Sequence, residues 1–183
     1  NKCAGITSLY FIGRVERSKG ILTILNILKD VKKDFIFHVV GDGPCLEEAK
    51  SKAKINGIAE KVVFHGRVSQ HSAFLEKVHS DIFVFPTQRI EGFPMVLVES
   101  MFAGIPVVAF DCGGVSDAVE DGKTGYLIKA GDAEDFKKKL EKLIDDENMR
   151  LEFGKNSKEK AEKEFTIDKM IDKYEEVFNE VLE

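Results

Sequence analysis

"DIFVFPTQRIEGFPMVLVESMFAGIPVVAFD", residues 81–111, is the stretch on which the fold turns. It opens with a short β-branched and aromatic run at 81–87, passes a longer apolar segment at 93–103, and closes on a second short run at 106–111. The two short runs suit strands. The longer one, with Pro94 at its front and Gly104 behind it, suits a helix. Neither strand alternates polar with apolar, so both of its faces are covered, which is the signature of parallel strands joined by a helical crossover.

The same grammar extends in both directions. SLYFIGR (8–14), FIFHVVG (35–41), VVFHG (62–66) and GYLIK (125–129) read as further strands. Helix-like segments lie at 19–31, 44–55 and 71–79, with a shorter one near 115–119. Strand and helix in alternation define a doubly wound α/β domain, a Rossmann-like parallel sheet of about six strands with right-handed crossovers. From Asp132 the chain becomes Lys/Glu-rich and amphipathic, with Phe136, Leu140, Leu143 and Ile144 on one face. A last helix, 166–183, opens on Thr166 as N-cap and carries the apolar stripe Met170, Ile171, Tyr174, Val177, Phe178 and Val181. The division expected is a Rossmann-like domain over 1–165 and a separate C-terminal helix over 166–183.

Composition narrows the class. Of the 183 residues, 43% are hydrophobic and 32% charged, the balance of a globular domain with a proper core. The net charge of −5 argues against nucleic acid as a partner. Cys3, Cys45 and Cys112 form neither a C-x-x-C pair nor an even disulfide framework, which fits a reducing, cytoplasmic setting. Residue 1 is Asn and no leader precedes the first strand, so a fragment of a longer chain is one reading and a trimmed or disordered start another.

In doubly wound sheets ligands bind beyond the carboxyl ends of the strands, so the strand-to-helix turns hold the candidate site. The first turn, GRVERSKG, places Gly13, Arg14, Lys19 and Gly20 before a helix, which suits an anion site but also an ordinary charged loop. The second, GDGPCLEE, begins like a G-x-G-x-x-G fingerprint through Gly41 and Gly43, but Leu46 stands where the third glycine belongs. A tight turn is the better reading there. At the fourth turn Pro94 places the helix start near 93, with free amides facing back over Glu91, and Gly92 allows an unusual backbone angle and close ligand approach. Glu99 then lies roughly 9 Å further along the axis. Its apolar neighbours Val96, Leu97, Val98, Met101 and Phe102 predict a mostly buried carboxylate in need of partners, either ligand hydroxyls or a structural cation. His38, His65, His71 and His79 show no metal-ligand spacing.

Taken in order and spacing, GRVERSKG, VVGDGP, VVFHGRV, PTQRIEGFPMVLVESMFAGIPVVAFDCGG and DGKTGYLI resemble the C-terminal half of GT-B glycosyltransferases, of the retaining family GT4. The resemblance covers residues 8 to 182, and its most specific part is the E-x7-E pattern of Glu91 and Glu99. It implies that Arg14 and Lys19 bind the diphosphate of a nucleotide-sugar donor and that Glu91 contacts the sugar; these three form the implied catalytic set. It places Gly13, Gly41 and Gly43 near the nucleotide, and Gly66, Arg67 and Val68 beside the base. Gly92, Phe93, Pro94, Met95 and Val96 lie against sugar and phosphates, and Glu99 holds the ribose. A UDP- or GDP-linked hexose is the implied donor, and a glycan or lipid the acceptor, as in polysaccharide biosynthesis. No D-x-D is present, so no metal and no cofactor are expected. A GT-B enzyme has two such halves. The resemblance therefore implies an excised donor-binding domain, weak in transfer alone, whose last helix would cross to an absent N-terminal acceptor half. The full enzyme would be cytoplasmic, with peripheral association at the inner membrane face. A nucleotide-sugar 2-epimerase of the same fold, or a binding module without catalysis, are the competing functions.

Overall fold

A computed structural model describes residues 5–69 and 79–182. The six strands run β1 (Thr7–Ile12), β2 (Phe35–Val40), β3 (Val62–Gly66), β4 (Ile82–Phe85), β5 (Val107–Asp111) and β6 (Gly125–Lys129). They form one sheet in the order β3-β2-β1-β4-β5-β6, every pair parallel. The helices are α1 (Ile21–Leu28), α2 (Leu46–Ile55), α3 (Met95–Phe102), α4 (Val115–Ala118), α5 (Ala133–Asp145), α6 (Glu147–Glu164) and α7 (Ile167–Leu182). The helix expected over 71–79 lies, but for His79, outside the described residues, as do His71 and Cys3.

Covering on both faces explains the unbroken apolar strands. Leu9, Phe11, Phe37, Val84 and Phe110 pack on one side against Ile24, Leu25 and Leu28 of α1 and Phe136 and Leu140 of α5. Tyr10, Phe83, Phe85, Val107 and Ala109 pack on the other against Leu97 and Met101 of α3 and Ala161 of α6. Successive residues of a strand point to opposite faces, so β1 and β4 each feed both layers. The N-caps follow local chemistry. Asp132 accepts from the Asp135 amide at 2.9 Å, Asp146 from the Met149 amide at 2.9 Å, and Thr166 from the Lys169 amide at 3.3 Å. The described side chains of α7 are exposed along its whole apolar stripe, from Ile167 at 72% to Val181 at 78%.

The strand order reverses between β1 and β4. From that point α1 leaves to one face and α3 to the other, so the turns after the two strands face each other across a crevice. Element starts near it differ from the sequence reading. β1 ends at Ile12 rather than 14, because Gly13 and Arg14 already turn away. The helix expected from 19 is a 3-10 turn at Arg17–Lys19, stopped by Gly20 in the left-handed conformation (φ 77°), and α1 begins only at Ile21. Gly20 is also a point of close approach: a Cβ there would sit 1.9 Å from the Pro86 carbonyl oxygen. Gly20→Ala should therefore lower the unfolding free energy by about 2 kcal/mol or more, read as a shift of the urea midpoint. An unshifted midpoint would mean that the two turns do not touch.

Candidate functional site

The turn after β1 and the turn after β4 are tied by charge. Lys19 Nζ lies 2.6 Å from Glu91 Oε1, and the two side chains are only 27% and 17% exposed. Thr87 Oγ1 stands between the turns, 3.1 Å from the Ser18 carbonyl oxygen and 3.3 Å from Glu91 Oε1. Arg14 is mostly exposed and pairs through Nε with Glu16 Oε2 at 3.2 Å. The Ser18 hydroxyl, donating to Glu16 at 2.6 Å, holds that carboxyl below the usual carboxylate range against the cost of burial, and the charges of Arg14, Lys19 and Arg89 add to the effect. Cations thus gather at the mouth of the crevice.

Two adjoining clefts open there. One, of about 300 Å³, is lined by Phe11, Ile12, Gly13, Arg14, Lys19, Phe85, Glu91, Pro94, Met95 and Val96. The other, of about 460 Å³, is lined by Gly13, Arg14, Gly41, Asp42, Gly43 and Arg67. Gly13 and Arg14 belong to both, so of the two expected diphosphate residues Arg14 sits where the clefts join, while Lys19 lines the first alone. Volumes of this order suit small molecules.

The backbone of the fourth turn is held from the β5 side. Glu91 forms a parallel bridge with Gly113, and the Gly114 amide donates to the Glu91 carbonyl at 2.9 Å. A Cβ on Gly114 would land 1.7 Å from the Gly92 carbonyl oxygen, whereas a Cβ on Gly92 would meet nothing within 4 Å. Gly92 is not in the left-handed region either. The unusual angle that Gly92 allows is not taken up, the space around it is open, and the demand for a bare backbone falls on its neighbour across the turn. Burial, followed by the charges of Asp111 and Glu91, pushes the adjacent Cys112 thiol above its usual range.

α3 begins at Met95, two residues later than expected, with Pro94 extended at the N-cap (φ −75°, ψ 104°). The residue before a proline avoids the helical region, which keeps Phe93 out of the helix. The Leu97 amide bonds the Pro94 carbonyl at 2.9 Å, so the amides of Met95 and Val96 precede the first bond of the helix, and both residues line the cleft. Glu99 is exposed, contrary to the buried carboxylate expected. Leu97, Val98 and Met101 turn inward, but Met95, Glu99 and Phe102, spaced by four and three, share the outer face. Its cost of burial therefore disappears as an argument for a partner.

Other expected residues lie at the margins. Gly66 accepts from the Gly41 amide at 2.8 Å, which sets the end of β3 beside the second cleft. Arg67 lines that cleft, while Val68 is half-buried and packs on the α3 side of the sheet. Phe93 meets Phe165 in a tilted ring contact, centroids 5.3 Å apart, and does not line the cleft. Sequence reasoning missed Thr87, Glu16 and Asp42, whose places depend on other turns. It also treated His38 and His65 as scattered. Their ring nitrogens are 2.9 Å apart and the rings stack at 5.2 Å.

Among known proteins, the description that fits is glycosyl transferases group 1: the family's model matches residues 7–160, and the chain belongs to that family. An uncharacterized glycosyltransferase of Methanocaldococcus jannaschii is 30% identical, over 95% of this chain and 45% of its own length. A capsular polysaccharide biosynthesis glycosyltransferase, CapM, of Staphylococcus aureus is 30% identical over 94% of this chain and 46% of its own. The chain thus spans a little under half the length of these curated relatives. Among solved structures, TarM of S. aureus superposes with a TM-score of 0.85 at 25% identity, over 94% of this chain and 35% of that one. Anabaena HepE, solved in complex with UDP, gives 0.88 at 21% identity over 97% of this chain and 50% of that one. The fold is one Rossmann-like half of a GT-B glycosyltransferase.

A double-mutant cycle of Lys19→Ala and Glu91→Ala, measured by urea unfolding, should give a coupling of about 1–2 kcal/mol. Fully exposed pairs give less. Zero coupling would mean that the pair does not form in solution.

Proposed function

We propose that the chain is the donor-binding half of a retaining glycosyltransferase, taking a hexose from a UDP- or GDP-sugar. The observation that carries this reading is one cleft at the reversal of strand order, holding Lys19, Arg14, the Met95 and Val96 amides and the Glu91 carboxylate together. Breaking the anomeric C–O bond leaves negative charge on the departing diphosphate. Fixed cations and helix-terminal amides aimed at that charge stabilise it. Lys19 and Arg14 take this role, each exchanging the carboxylate that now balances it for phosphate oxygens. Glu91 accepts from sugar hydroxyls, and the second cleft, toward Gly41, Gly43 and Arg67, receives the nucleoside. Glu99, exposed on the Met95 face of α3, takes the ribose hydroxyls. This chemistry calls on no metal.

HepE, solved with UDP, shares the fold, which supports a nucleotide diphosphate as ligand. The relatives are about twice as long as this chain, which supports a second half that supplies the acceptor site, with the apolar stripe of α7 packing against it. Among the described residues no helix is long and apolar enough to cross a membrane. The acceptor is a glycan or lipid, and a cytoplasmic enzyme resting on the membrane surface fits that choice.

Titration of the chain with UDP, GDP and ADP, with and without EDTA, should show binding by UDP or GDP that EDTA leaves unchanged. Lys19→Ala and Arg14→Ala should each weaken it by about 1.5–3 kcal/mol, and Glu91→Ala should weaken the sugar nucleotide more than the bare nucleotide. No binding at millimolar nucleotide would overturn the proposal.

A further inference from the structure

Thr87 is 1% exposed and follows β4 directly after Pro86. Its hydroxyl touches both turns of the site. Oγ1 is 3.1 Å from the carbonyl oxygen of Ser18, the residue before Lys19, and 3.3 Å from Glu91 Oε1. Lys19 Nζ reaches the same oxygen, Oε1, at 2.6 Å. Both contacts to the carboxylate fall on one oxygen, which leaves Oε2 to accept from a ligand hydroxyl.

A hydroxyl has one proton to give. With Lys19 on Oε1, the carboxylate is already served by a charged donor, and the Ser18 carbonyl is the nearer acceptor for Thr87. A diphosphate in the cleft competes for the same ammonium group. Once Lys19 turns to phosphate, the carboxylate becomes the stronger acceptor for the Thr87 proton, because hydrogen bonds to ionised groups are the stronger ones. Thr87 is buried and β-branched, so it needs little rearrangement to change acceptor. Glu91 is a long, flexible side chain, and without a second contact it would lose its fixed rotamer at the moment the donor arrives.

We propose that Thr87 is a positioning residue for the carboxylate that reads the donor sugar: its buried hydroxyl keeps Glu91 in place when the diphosphate draws Lys19 away. The inference rests on the assignment of Glu91 to the sugar. It predicts that Thr87 governs discrimination between a sugar nucleotide and its bare nucleotide, with little effect on affinity for phosphate.

Two measurements on the 183-residue chain test it, with Thr87→Val, which keeps the shape and loses the hydroxyl, and Thr87→Ser, which keeps the hydroxyl. In calorimetric titrations with UDP-glucose against UDP, and GDP-mannose against GDP, Thr87→Val should weaken the sugar nucleotide about five- to twentyfold. It should leave the bare nucleotide within about twofold. Thr87→Ser should stay within about twofold for both ligands. Equal losses for both ligands, or no loss for either, would overturn the inference. In the ligand-free protein carrying Lys19→Ala, where no ammonium group holds the carboxylate, three-bond NMR couplings at the Glu91 β protons should report one rotamer with Thr87 or Thr87→Ser, and averaging with Thr87→Val. Couplings that Thr87→Val leaves unchanged in that background overturn the inference whether or not nucleotide binds. A parent protein that binds no nucleotide overturns the proposed function instead. If Thr87→Val does not fold, Thr87→Ala takes its place in both measurements.

Discussion

Lys19 and Glu91 are 72 residues apart in the chain and 2.6 Å apart in space. That contact depends on the strand order, because only where the order reverses do two neighbouring strands send their helices to opposite faces. The first turn brings cations on a short 3-10 turn, and the fourth brings a carboxylate and a helix start. Each would be an ordinary surface loop alone. Packed together, with Gly20 against the Pro86 carbonyl and Thr87 between them, they make a charged crevice whose walls are two rigid strand ends.

Balance of charge gives the site its form. The mostly exposed Arg14 rests on Glu16 and the half-buried Lys19 on Glu91, so each cation has a carboxylate beside it. A diphosphate bound here would replace existing partners rather than fill an electrostatic void, and its net gain would be a difference between two good interactions. Such an arrangement favours a ligand that offers phosphates to the cations and hydroxyls to the freed carboxylate at once. A nucleotide sugar has both.

Much of the fold was legible because its strands are covered on both faces and so are written as unbroken apolar runs. All six sequence runs correspond to strands. Boundaries slipped where the site bends the chain: at Gly13, at the 3-10 turn before Gly20, and at Pro94. Each is a turn whose shape is decided by a neighbouring turn. Glu99 was misjudged because counting apolar neighbours ignores which face of a helix they occupy. Which glycine of the fourth and fifth turns is pressed by backbone was not legible, because the crowding at Gly114 comes from Gly92, some twenty residues earlier. Thr87 carries no motif of its own, and its role arises only from Ser18 and Glu91 meeting around it. The His38–His65 contact depends on the register of β2 on β3, which shifts between Val39 and Val40, a feature no periodicity reveals.

The two clefts share one manner of construction. Around Glu91 the backbone is pressed on by Gly114 from one side and braced through Thr87 and Gly20 on the other, so a change in any one loop is felt by its neighbours. Toward Gly41 and Arg67 the turns press as closely: a Cβ on Gly41 would lie 1.9 Å from the Gly13 carbonyl oxygen and one on Gly43 2.5 Å from that of Val15, while the Val15 amide donates to the Asp42 carbonyl at 3.0 Å. Because Gly13 and Arg14 line both clefts, a bulkier residue at any of these close approaches would be felt along the whole crevice, from the turn after β4 to the end of β3.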